Sequence, residues 1–137
     1  MPKEFKVNKE QAELEFENFA DAMDLDIELD SMESDDKKEF QKIKDKIIKA
    51  IMIGSLTFND INEPVFTPQR SEDIKPLTFK EPKGSTFKCM DGHKDNQNMG
   101  KMFAIMAEMT GTTAGTFSKL SGQDFKICTA IVTIFLG

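Results

Sequence analysis

Ser55-Leu-Thr-Phe-Asn-Asp-Ile-Asn-Glu-Pro-Val-Phe-Thr67 decides the fold class. Two short apolar runs, Ser55 to Phe58 and Pro64 to Thr67, flank a turn-rich Asn59 to Glu63, which is hairpin spacing. Pro76-Leu-Thr-Phe79 offers a third short strand. Four of the five prolines fall between 64 and 82, so this middle region is loops and edge strands, not helix.

Upstream the pattern is helical. Asn8-Lys-Glu-Gln11 reads as a capping box, and Ala12, Phe16, Phe19, Ala20 and Met23 follow on one helical face. Ser34-Asp-Asp-Lys37 opens a second helix with acids in its first turn, where the macrodipole favours them. Phe40, Ile43, Ile47, Ile48 and Ile51 form its buried stripe, Lys42, Lys46 and Lys49 line the opposite side, and Gly54 supplies a left-handed stop. Between the two helices, Asp24 to Asp30 alternates acid with Leu25, Ile27 and Leu29, which predicts a strand or extended edge. The same run is not a calcium loop. Counted from Asp24, the required Gly and Glu positions hold Leu29 and Asp35.

Downstream, Ser85 is placed to cap a short helix through Phe87 and Met90. Met99, Met102, Phe103, Met106 and Met109 then mark one face of a longer helix ending near Gly111. Thr113 is placed to cap a short helix containing Phe117 and Leu120. Ser121-Gly-Gln-Asp124 resembles a capping box and opens a final helix to Leu136, although its β-branched residues also suit a buried strand. The expected fold is therefore α+β and predominantly helical. An N-terminal helical pair precedes a central β-hairpin or small antiparallel sheet and a C-terminal helical bundle. Residues 1–54 form an acidic helical region and 55–137 the hairpin plus helices, either separately or as one continuous domain.

Composition narrows the function. With 39% hydrophobic and 31% charged residues the chain suits a soluble globular protein. From Glu10 to Asp36 there are 12 acids and no Lys or Arg, so the rest carries a local balance of +6 against the net −6. That acidic stretch is either a solvated face or a surface offered to a basic partner. The N-terminus has no apolar signal-like run, and Ile127 to Leu136 is about half the roughly 20 residues of a spanning helix. A cytoplasmic location and no membrane partner are expected. Cys89 and Cys128 lack metal or redox spacing and read as reduced thiols. His93 sits alone in a polar turn, and Thr110-Gly-Thr-Thr-Ala-Gly115 lacks the ending of a phosphate loop. Neither catalysis, nor a metal, nor a cofactor is expected.

Two features suggest a binding surface instead. The Met stripe is either core or an adaptable groove for a client helix. The apolar end containing Ile131, Ile134, Phe135 and Leu136 must be covered by its own domain, a second copy or a longer continuation.

The order of pieces from Ser55 to Gly137 resembles the tail assembly chaperone family of long-tailed phages. The carrying pieces are the hairpin around Leu56 to Phe66, Leu77-Thr-Phe-Lys-Glu-Pro82, Met90-Asp91, Ala107-Glu-Met-Thr-Gly111, and Leu120-Ser-Gly-Gln-Asp124 before the final helix. The match covers about three fifths of the chain; residues 1–54 lie outside it, and Met109 stands where the family more usually has Leu. The resemblance implies transient binding to the tape measure protein, recruitment of tail tube protein, action in the host cytoplasm and absence from the finished virion. It also implies the two lengths that family members often acquire by translational frameshifting, and it brings no catalytic residues. Self-association is a further possibility, and no nucleic acid is expected. The alternatives are an acidic mimic of DNA that inhibits a DNA-binding protein, and a structural tail component.

Overall fold

A computed structural model describes residues 6–25, 34–71, 74–88 and 98–136. The fold is mostly helical α+β, with two N-terminal helices, a small antiparallel sheet and C-terminal helices. Helix α1 spans Lys9–Ala22, and the Gln11 amide donates to the Asn8 side chain at 2.8 Å, the forward half of the expected box. Ala12, Phe16, Phe19 and Ala20 are buried and Met23 half-buried, as their spacing requires. Helix α2 spans Ser34–Met52 and buries Ile47, Ile48 and Ile51, while Phe40 and Ile43 stay half-exposed.

Asp24 and Leu25 do not begin a strand; they close α1. Asp24 adopts φ 54°, and the Leu25 amide reaches back to the Ala20 carbonyl at 2.8 Å. This six-to-one bond satisfies a carbonyl that the helix end would otherwise leave bare. The remainder of the alternating run, residues 26–30, lies outside the described residues, as do Cys89, Met90, Asp91 and His93. The same closure ends α2, where Gly54 has φ 83° and the Ser55 amide donates to the Ala50 carbonyl at 3.0 Å.

The three short runs become β1 (Leu56–Phe58), β2 (Pro64–Phe66) and β3 (Leu77–Thr78), paired antiparallel in the order β1-β2-β3. Leu56 stands opposite Phe66 and Phe66 opposite Leu77, and all three are buried. Thr57, Val65 and Thr78 occupy the other face, exposed or half-exposed, so the pleat divides the sheet into a core side and an outer side. The Asn59 carboxamide builds the β1–β2 turn. It accepts from the Ile61 and Glu63 amides and donates to the Glu63 carboxylate.

Helix α3 (Gly84–Lys88) begins one residue before the predicted cap. Ser85 lies inside it and donates to Glu108 at 2.9 Å, while Thr86 accepts from the Lys83 amide. Helix α4 spans Asn98–Thr110 and closes at Gly111 (φ 68°), with the Thr112 amide on the Ala107 carbonyl. Thr113 holds the N-cap position of α5 (Ala114–Ser118), but its hydroxyl caps no amide. The last segment is helix α6, Gly122–Leu136, not a strand. Its Thr129 and Thr133 hydroxyls bond the carbonyls four residues back, an arrangement that accommodates threonine within a helix.

One core joins both regions of the chain. Phe19 of α1 stacks on Phe58 of β1 with centroids 5.2 Å apart and meets the edge of Phe135 of α6 at 5.3 Å. The Lys80 amide donates to the Met109 carbonyl and pins the chain leaving β3 to the end of α4.

Candidate binding groove

The structure divides the nine residues that the sequence singled out. Met106 and Met109 of α4, with Ile131, Ile134 and Phe135 of α6, are buried in the core. In this fold these five take the core alternative, because an amphipathic helix gains most by turning its apolar face inward. Met102 and Phe103 are half-buried and packed against that core, and Leu136 is 37% exposed. Met99 stands in the first turn of α4, and its side chain lies outside the described set. Among its described side chains the stripe is thus core at Met106 and Met109 and half-buried at Met102 and Phe103.

Among the described residues an apolar groove lies elsewhere. A groove of about 520 Å³ runs between α2 and α6, lined by Lys42, Ile43, Lys46, Phe125, Lys126, Thr129, Ala130 and Thr133. Half-buried Ile43 and Phe125 supply apolar surface above the buried Ala130, and the exposed Lys42, Lys46 and Lys126 form its rim. Phe125 meets Phe103 with ring centroids 5.3 Å apart, which joins the groove to the open part of α4. Sequence reading missed this site because Ile43 fits the buried stripe of α2. The available signal was the four-residue spacing of Phe125, Thr129 and Thr133, which marks a less apolar face on a very apolar helix.

A second cavity, about 290 Å³, shares Lys46 and is lined also by Lys49, Gln69, Arg70, Gln123 and Asp124. Asp124 is 1% exposed. Its carboxylate accepts from the Gln69 and Arg70 amides at 3.2 and 3.0 Å and from the Ser71 hydroxyl at 2.7 Å. The predicted capping box forms only by half. Ser121 accepts from the Asp124 amide, but Asp124 turns away to the 69–71 segment, and Ser71 takes its place by accepting from the Ser121 amide at 2.8 Å. Burial pushes the Asp124 pKa upward, but the hydrogen bonds from Ser71, Arg70, Gln69 and Ser121 together outweigh it and hold the group below its ordinary value.

Asp124 is therefore a fixed anion that fastens the segment after β2 to the start of α6, and a poor proton acceptor at neutral pH. Cys128, one turn further, is buried, and burial together with the Asp124 charge pushes its thiol pKa well up. It is not poised as a nucleophile. Among the described residues, no group of three or more His, Cys, Asp or Glu is placed to hold a metal ion, and no helix is long and apolar enough to cross a membrane. What the arrangement offers is an apolar trough with a cationic edge. No protein-family model matches the chain, and no curated protein or solved structure matches it either.

Proposed function

We propose that this chain is a tail assembly chaperone of a long-tailed phage, working without catalysis in the host cytoplasm and leaving before the particle is complete. It binds the tape measure protein and helps recruit tail tube subunits. The family part of this reading rests on the order of sequence pieces from Ser55 to Gly137. The observation that supports protein binding is the open apolar groove between α2 and α6, continued by Phe103. Apolar concavities on a folded surface are the usual seats of partner helices.

A tape measure protein is a long helical rod whose apolar stripe aggregates if left bare. A chaperone covering that stripe keeps it soluble until tube subunits displace it, which requires moderate affinity per copy. Co-expression with the tape measure protein of the same phage tests the reading. Co-purification and a gain in client solubility are expected; the absence of both contradicts it.

A second reading, an acidic mimic of DNA, draws on the exposed Glu10, Glu17, Asp21 and Asp24 of the N-terminal region. Charge-dominated binding of that kind collapses as salt is raised, whereas binding through an apolar groove persists. A salt titration of partner binding separates the two.

A further inference from the structure

The α2–α6 groove has a chemical bias as well as an apolar surface. Lys42 and Lys46 stand one turn apart on α2, and Lys126 belongs to the α6 wall. Past Lys46 the adjoining cavity adds Lys49 and Arg70. Among the residues lining the two cavities the one carboxylate is Asp124, which is buried and already accepts three hydrogen bonds. The rim is thus cationic, and the acid beside it is committed elsewhere.

Every residue lining the groove belongs to α2 or α6, so no sheet edge is offered for a strand to extend. Two helices side by side present the trough into which a third helix packs. Along α6 the lining runs from Phe125 to Thr133. At 1.5 Å per residue that is about 12 Å, room for roughly two turns of a guest helix.

We propose that this groove takes an acidic amphipathic helix of the client. Its apolar side chains at i, i+3 or i+4, and i+7 pack on the half-buried Ile43 and Phe125. Its flanking carboxylates lie between Lys42 and Lys46 on one wall and Lys126 on the other. The proposal rests on the client-binding reading above and names the chemistry of the segment held. The apolar stripe provides the holding contact, and the carboxylates select the partner and speed encounter.

The test uses the full chain and two labelled 18-residue helical peptides. Both carry the same Leu stripe; one is flanked by Glu and the other by Lys. Fluorescence anisotropy is expected to show the Glu peptide binding at least about tenfold more tightly, with the gap narrowing as salt is raised. The double reversal K42E/K126E changes two exposed side chains, so its melting temperature should match the parent, and it is expected to reverse the order of the two peptides. Equal binding of both peptides, no binding of either, or an unchanged order in K42E/K126E overturns the proposal. So does a chain that sediments as a dimer and becomes a monomer in K42E/K126E, which would put a second copy in the groove. Client co-purification without any Glu preference sinks this proposal and leaves the chaperone reading standing. A Glu preference without client binding does the reverse.

Discussion

Asp124 gathers hydrogen bonds from Gln69, Arg70 and Ser71, three consecutive residues that belong to no helix or strand. Replacing it by Ala leaves those donors without their acceptor, and we expect a loss of about 1–3 kcal/mol in denaturant unfolding. Because its folded pKa is lowered, the unfolded chain binds the proton more readily. The stabilisation from Asp124 is therefore full above the unfolded pKa of about 3.9 and is lost as pH falls through the lower folded value. Asp124→Asn should flatten the acid limb of stability against pH; an acid limb as steep as the parent's would show that Asp124 is not its source. Cys128 should resist iodoacetamide in the folded chain at neutral pH and react once urea unfolds it, read by peptide mass mapping. At this scale the sequence was half legible. Ser121 and Asp124 announce a helix start, but Ser71 lies fifty residues away, and no local pattern predicts its intervention.

Helices α1, α2 and α4 end by one device, a left-handed residue followed by a six-to-one bond, with Asp24, Gly54 and Gly111 in the left-handed seat. Gly54→Ala and Gly111→Ala should each cost about 1–2 kcal/mol, the strain of a side chain in that conformation. Nothing lies near the added carbon at Gly111, whereas at Gly54 it meets the Lys6 stem at 2.7 Å. Lys6 is exposed and can swing aside, so thermal melts of the two variants should differ little. A much larger loss at Gly54 would mean that the Lys6 stem is held. Element positions were readable because the glycines, prolines and helical stripes act locally. The α6 segment reads both ways because Thr129, Ile131, Val132, Thr133 and Ile134 suit a strand equally well, and an apolar run buried on several sides shows no periodicity that separates helix from strand. The groove was not readable, since it exists only where α2 meets α6.

Phe19 ties the extremes of the chain together, touching β1 and the last turns of α6 from α1. Helices α1 and α2, which lie outside the family resemblance, thus contribute to the same core as the rest. Phe19→Ala should cost about 3–5 kcal/mol and shift one cooperative unfolding transition for probes in both halves. A separate, unshifted transition for the C-terminal half would contradict a shared core. The α2–α6 groove is the proposed seat of the client. Photo-crosslinkers placed singly at Thr133, in the groove, and at Glu17, on the exposed side of α1, test it directly during co-expression with the tape measure protein. Adducts with the tape measure protein are expected from Thr133 and none from Glu17; adducts from Glu17 with none from Thr133 would contradict a client held in the groove.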